Sequence, residues 1–194
     1  MKKPLLTIAS GNPRKAAEIE QMLGPLSIEV KRQPKDLNVE ETGSTYFENA
    51  LIKAKAAAKI TNSWTIADDS GLEVDALNNA PGIYSARLAE TNEKKIKKIL
   101  TALGDTPYRS ARFCSAMVLC NQKGDLIKDS FGICWGEILK KPAYENGEFE
   151  SILWIRETKC TYGELNHEQL SKIGSRAKAA RSLAPYLLKE FKLS

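Results

Sequence analysis

Histidine, cysteine and long apolar stretches are scarce in this sequence of 194 residues. The single histidine, His167, and four cysteines at positions 114, 120, 134 and 160 contain no C-x-x-C pair, which argues against both a zinc site and a redox dithiol. The cysteines read as buried thiols. No apolar run approaches the roughly 18 residues that cross a bilayer, so membrane spanning is excluded. Met1-Lys2-Lys3 precedes only a short apolar run, Pro4 to Ala9, that ends in Ser10-Gly11-Asn12 rather than a small-residue cleavage site. A secretory signal is therefore not expected, and a cytoplasmic location is. Internal repeats, low-complexity tracts and linkers are absent as well, so one domain over 1–194 is expected. Charge of one sign is only slightly in excess, 29 Lys and Arg against 24 Asp and Glu for a net +5. That suits an anionic ligand without demanding nucleic acid.

What is present is an α/β pattern. Pro4 to Ala9 has the length and β-branched content of a buried strand, broken by Ser10-Gly11-Asn12-Pro13. Asn12 is then a natural N-cap and Pro13 a natural first helical residue, with Ala17, Ile19, Met22 and Leu23 as apolar positions. Leu26 to Lys31 alternates as a second strand, and Tyr46 to Ile60 is rich in helix formers, with Phe47, Ala50, Leu51 and Ala54 at helical spacing. Trp64 to Ala67 reads as a short strand running into an Asp68-Asp69-Ser70-Gly71 loop. Asn92 to Leu103 is an amphipathic helix whose lysines 94, 95, 97 and 98 form a solvated face. Ser110 to Cys120 and Leu126 to Leu139 should pair as a hairpin that Ser151 to Ile155 can join. Residues 167–191 are helical in composition, with an interruption at Gly174 and a kink at Pro185. Trp135 and Trp154 read as core, and His167 as polar surface. The order implies a mixed sheet with flanking helices and a cleft between two lobes.

Three segments carry candidate chemistry. Ser10-Gly11-Asn12-Pro13-Arg14-Lys15 lies where a strand meets a helix, and unpaired amides with the positive end of the helix dipole make that an anion site. Two cations in a first helical turn are electrostatically misplaced unless an anion offsets them; the plain alternative is a capped helix with solvated cations. The Walker spacing GxxxxGK[ST] is absent. Glu40-Glu41 and Asp68-Asp69 are adjacent carboxylates whose repulsion a divalent cation relieves, and Mg²⁺ is satisfied by one or two carboxylates, waters and phosphate oxygens. One carboxylate then serves as base toward a water; a solvated Asp-Asp turn is the alternative. Gly174-Ser175-Arg176-Ala177-Lys178 is a basic helical stretch readable as a solvated face.

Taken together, these segments resemble the inosine/xanthosine triphosphate pyrophosphatase family, ITPase-like enzymes that hydrolyse non-canonical purine nucleotides. The resemblance runs through Ser10-Gly11-Asn12 with Lys15, and through Glu41-Thr42-Gly43 followed by Phe47-Glu48-Asn49-Ala50 and Lys53-Ala54. It is most specific in Ala67-Asp68-Asp69-Ser70-Gly71-Leu72-Glu73-Val74-Asp75-Ala76-Leu77, continuing to Ala80-Pro81-Gly82-Ile83-Tyr84-Ser85-Ala86-Arg87. It implies an elongated α/β fold, usually a homodimer, that cleaves a nucleoside triphosphate to monophosphate and pyrophosphate with Mg²⁺. Residue by residue, it implies that Ser10, Gly11, Asn12 and Lys15 hold the triphosphate and that Glu41 and Asp69 hold the metal. Asp69 also orients or deprotonates the attacking water, with Asp68 and Ser70 in support. Lys53 lies on a helix near these elements and is a candidate to assist with phosphates, with a helix-surface lysine as the favoured reading.

The base-reading half departs from the family. Its Gly-Phe-Gly-Tyr-Asp-Pro-like segment is replaced by Gly147-Glu148-Phe149-Glu150-Ser151-Ile152. Thr161-Tyr-Gly-Glu164-Leu165 fixes the following register, in which the family's lysine falls at Leu170 and its Ser-His-Arg at Gly174-Ser175-Arg176. Ser175 and Arg176 are thus the candidate nucleotide contacts there, and Lys172 is displaced by two positions. Loss of hydrogen-bonding partners for a base edge loosens discrimination, so a different or modified base is the enzymatic alternative. A catalytically silent nucleotide-binding module is the non-enzymatic one, opposed by the intact Asp68, Asp69 and Glu41. Nucleic acid is the remaining alternative partner, and the acidic set would repel its backbone.

Overall fold

The computed structural model describes residues 4–24 and 26–192. Seven strands hydrogen-bond in the order β2-β1-β3-β4-β5-β6-β7: β1 Leu5–Ala9, β2 Glu29–Arg32, β3 Trp64–Val74, β4 Ser110–Cys120, β5 Leu126–Ile138, β6 Leu153–Ile155 and β7 Cys160–Thr161. The helices are α1 Pro13–Leu23, α2 Tyr46–Thr61, α3 Asn92–Leu103, α4 His167–Ile173 and α5 Ser175–Glu190, with short 3-10 turns between them. The sheet is mixed: β1 runs parallel to β2 and β3, and β6 antiparallel to β5 and β7.

The chain forms two compact units. The first takes residues up to Asp69, Ser115–Gly132 and everything from Arg176 on; the second takes Ser70–Cys114 and Ile133–Ser175. In the first unit strand alternation sorts two cores. Leu6, Ile8, Ile66, Met117 and Leu119 face Ala16, Ile19 and Leu23 of α1 and Ala179, Ala180, Leu183 and Leu187 of α5. Ala9, Ala67, Val118 and Cys120 face Ala50, Ala54 and Ala57 of α2. The alanine face lets α2 lie close to the sheet. The second unit has its own core, in which Leu72, Val74, Ile96, Ile99, Leu103, Ile152 and Leu153 take part.

Local signals in the sequence hold well at helix ends. Asn12 caps α1 by accepting from the Arg14 and Lys15 amides, with Pro13 opening the helix. Thr91 caps α3 over the expected residues, and Gly174 separates α4 from α5, which runs on past Pro185 to Glu190. The strands differ more. β2 begins at Glu29 rather than Leu26, and Ala16, not Ala17, is the buried alanine of α1. The principal correction is β3, which does not end at Ala67 but continues through Asp68, Asp69, Ser70 and Gly71 to Val74. The carboxylates therefore stand on a buried strand, not a loop. Trp135 is also corrected: its side of β5 is opposite buried Cys134, the residue is 55% exposed, and its ring lies 4.8 Å beneath the Arg112 guanidinium.

Leu183 sits fully buried between α5 and the sheet. Truncation to Leu183→Ala is expected to cost about 2–5 kcal/mol of folding stability, read by urea denaturation.

Candidate active site

The site grows from the connectivity of the first unit. From β1 the chain passes through α1 to β2 on one side, and then through α2 to β3 on the other side of β1. The reversal leaves a crevice beyond the carboxyl ends of β1 and β3, the place where open α/β sheets bind ligands. Ala9 and Ala67 are register partners on these two strands, so the turn that follows β1 lies beside the Asp68-Asp69 pair of β3.

The turn presents capped backbone amides at the start of α1. Asn12 is exposed and holds the Arg14 amide at 2.9 Å and the Lys15 amide at 3.2 Å through Oδ1, while Ser10 Oγ accepts from the Asn12 amide at 3.3 Å. A side chain at Gly11 would meet nothing within 4 Å. Lys15 projects from the first turn of α1 to within 3.9 Å of Asp68 Oδ2 and keeps 26% of its side chain exposed. Burial holds its ammonium below the usual lysine range, Asp68 opposing. Arg14, by contrast, is 53% exposed and pairs with Glu18.

Alternation within β3 separates the two aspartates. Asp68 continues the Ile66 face, toward α1 and α5, where Arg176 Nε donates to its Oδ2 at 3.2 Å. Arg176 also pairs with Glu18 of α1 and is buried with 8% exposure. Burial would raise the Asp68 carboxyl, but Arg176, Lys15 and Lys53 outweigh it and hold the group below the usual carboxylate range. Asp69 continues the Ala67 face, toward α2. Asn49 Nδ2 donates to Asp69 Oδ2 at 3.2 Å, and Lys53 Nζ approaches Asp69 Oδ1 at 3.4 Å. Burial pushes Asp69 above the usual carboxylate range, Lys53 opposing and Glu41 adding to the rise. Mutual repulsion of the adjacent pair is thus not what organises the site; each carboxylate answers to its own helix.

Glu41 arrives on the loop before α2. Its Oε1 accepts from Lys53 Nζ at 2.6 Å. The loop is held by Asn49, whose Oδ1 accepts from the Gly43 amide at 2.8 Å. Contact there is so close that a Cβ at Gly43 would fall 2.6 Å from Glu48 Cβ and 2.8 Å from Asn49 Oδ1. Glu41 and Asp69 consequently aim oxygens at one cation. Among the described residues no group of three or more His, Cys, Asp or Glu side chains forms a metal cage.

A profile of the Ham1 family matches residues 6–186, from β1 into α5. The chain belongs to the Ham1 family. It is 42% identical over 181 residues to a dITP/XTP pyrophosphatase of Synechocystis sp., covering 93% of each chain. Among solved structures it is similar to a Ham1 protein of Coxiella burnetii, with a TM-score of 0.85 at 35% identity over 96% of this chain and 99% of that one. The Ham1 protein of Staphylococcus aureus gives a TM-score of 0.83 at 37% identity over 96% and 99%.

This Ham1 chain brings Ser10, Gly11, Asn12, Lys15, Glu41, Asp68, Asp69 and Arg176 into its first unit. Ser70, half-buried on β3, and Ser175, buried at the start of α5, fall in the second unit. Lys172 is spent on Glu168 at the surface of α4. Two participants, Asn49 and Glu18, escaped the sequence reading, and the favoured surface reading of a third, Lys53, is overturned. Lys53 is no surface lysine, with 15% of its side chain exposed between two carboxylates. Asn49 is fully buried, and Glu18 braces Arg176. The available signal was Asn49 itself, an asparagine inside a helix where it lowers helix propensity, one turn before Lys53 on the same face.

Asn49→Ala removes a buried donor to Asp69 and a part-buried acceptor for Gly43. A loss of about 1–3 kcal/mol in urea-denaturation stability is expected, and a loss under about 0.5 kcal/mol would remove Asn49 from this bracing role.

Proposed function

We propose that the protein hydrolyses non-canonical purine nucleoside triphosphates, of the ITP, dITP and XTP type, to the nucleoside monophosphate and pyrophosphate, clearing them from the nucleotide pool. The observation that carries this reading is the convergence of Glu41 and Asp69 on one cation, beside an N-capped turn suited to phosphate, in a Ham1 chain. The relatives' name, dITP/XTP pyrophosphatase, supplies the substrate class.

Mg²⁺ fits the donor set. Two hard carboxylate oxygens already face a cation, the Lys53 ammonium, which stands where a metal ion would be attracted. With no third acidic ligand, the remaining coordination falls to water and phosphate oxygens, the habit of Mg²⁺. Glu41 and Asp69 would hold it, and it would neutralise charge developing on the pyrophosphate leaving group.

The chain's own residues do the rest. The amides around Ser10, Gly11 and Asn12, with Lys15, hold the phosphates at the start of α1. Asp69, its carboxyl raised by burial, accepts the proton of the water that attacks the α-phosphorus, and the bond between the α- and β-phosphates breaks as pyrophosphate leaves. Asp68, held ionised, keeps Lys15 and Arg176 in place. Opposite shifts of two neighbouring carboxyls are how one site separates a base from a fixed anion. Ser70, Ser175 and Arg176 complete the nucleotide contacts that the resemblance implies, in a cytoplasmic homodimer.

A second reading alters the base. Glu150 and Ser151, which stand in the family's aromatic-aspartate segment, are buried in the second unit. With Leu170, Gly174 and Ser175 also departing, a modified base is the competing substrate.

Asp69→Asn should lower kcat by about 10²–10⁴-fold with the fold intact, since that is the usual worth of a positioned base. Pyrophosphate release near the wild-type rate would sink the mechanism. Lys15→Ala should raise KM about tenfold or more through loss of a charge-assisted phosphate contact, and an unchanged KM would count against its role. Across a panel of ITP, XTP, dUTP and the four common triphosphates, release should require Mg²⁺ and favour ITP and XTP. Silence across the panel with measurable binding would replace the enzyme by a binding module.

A further inference from the structure

Lys53 is a cation shared by both carboxylates assigned to the metal. Its Nζ lies 2.6 Å from Glu41 Oε1 and 3.4 Å from Asp69 Oδ1. Its position is not that of a wandering surface side chain. Ala50, Ala54 and Ala57 seat α2 on the sheet on either side of it. One turn earlier, Asn49 ties down the second oxygen of Asp69 and the loop that delivers Glu41. Both carboxylates are thereby oriented on an ammonium group carried by a rigid helix, before any outside ligand is present.

We propose that Lys53 is a resident counter-ion that competes with the divalent metal for Glu41 and Asp69, so that metal binds poorly to the nucleotide-free protein and enters together with the triphosphate. This rests on the metal reading given above. Two carboxylates carry two negative charges. Lys53 neutralises one of them, and adding a divalent ion beside it would leave the pocket with a net positive charge in poorly solvated surroundings. The metal therefore displaces the ammonium, and the triphosphate supplies anionic oxygens to which the ammonium turns. Metal and nucleotide then favour each other's binding through Lys53, in both directions, as linkage requires. The device also keeps buried Asp69 and half-buried Glu41 paired whenever substrate is absent. A purely supporting lysine has the opposite signature: its loss would release Glu41 and Asp69 from their orientation and weaken the metal site.

The test is Mn²⁺ binding to the nucleotide-free protein, followed by electron paramagnetic resonance and calorimetry on wild type, Lys53→Met and Lys53→Arg. Lys53→Met should bind Mn²⁺ about tenfold more tightly than wild type, in the range of direct coupling between ligands, and Lys53→Arg should stay as weak as wild type. In thermal unfolding, Lys53→Met should melt lower than wild type without metal and gain more from added Mn²⁺ than wild type does. Should Lys53→Met fail to fold, Lys53→Gln replaces it, with the same expected direction. Equal or weaker Mn²⁺ binding by a folded, charge-removed variant overturns the counter-ion role and leaves the metal reading standing. Absence of Mn²⁺ binding by every variant, even with a non-hydrolysable triphosphate present, overturns both.

Discussion

A β-strand sends successive side chains to opposite faces, and β3 continues that rule through two aspartates before it ends. Asp68 is carried to the face covered by α1 and α5, and Asp69 to the face covered by α2. One dipeptide therefore makes two carboxylate environments at the same level of the sheet, each with its own cations. Arg176 and Lys15 serve the first, and Lys53 the second. Because the parallel register sets Ala67 against Ala9, the anion-binding turn after β1 lies level with both. Were β3 shifted by one residue, the aspartates would exchange faces and lose every partner they have.

The energetics explain why the helices are arranged so tightly. A unit charge pair about 4 Å apart gains about 4 kcal/mol at an effective dielectric of about 20. Removing each ion from water costs several kcal/mol, so such pairs approach break-even and add little net stability. What they secure is position. Arg176 cannot leave Asp68 without also leaving Glu18, and Asn49 cannot release Asp69 without releasing the Glu41 loop. The alanines of α2 serve the same end, since a bulkier face would lift Asn49 and Lys53 away from the strand. Stability comes instead from the apolar layers beneath, where Ile8, Ile66, Leu183 and Leu187 are fully buried.

Local chemistry was legible in the sequence and tertiary chemistry was not. Asn12-Pro13 announces a capped helix, the apolar spacing of Asn92–Leu103 announces α3, and Gly174 breaks the final helical stretch, all through local preferences. The same preferences misled at Asp68-Asp69-Ser70-Gly71, whose low strand propensity suggests a loop; pairing and burial override it. The carboxylates and the anion turn were visible as residue types. Lys53, Asn49 and Glu18 were not, because an ordinary helix surface also carries lysine and glutamate, and only the packing of α1 and α2 onto the sheet shows which ones turn inward. Arg176 lay between these cases: the family register singled it out, while the structure reveals a buried guanidinium already engaged by two carboxylates.

That engagement bears on how a triphosphate is admitted. Glu18, Glu41, Asp68 and Asp69 are met by Arg14, Lys15, Lys53 and Arg176, so the cations nearest the anion turn are already committed. The net +5 of the chain lies largely elsewhere, much of it on exposed lysines such as those of α3. A highly charged anion approaching this balanced set gains from the α1 amides and dipole but meets, among the described residues, cations that already face carboxylates. It must therefore bring a cation with it or pull one away from an acidic partner. Under the proposed function, this balance would favour a metal-complexed triphosphate over a bare one, with a lone metal or a lone phosphate group binding less well than the two together.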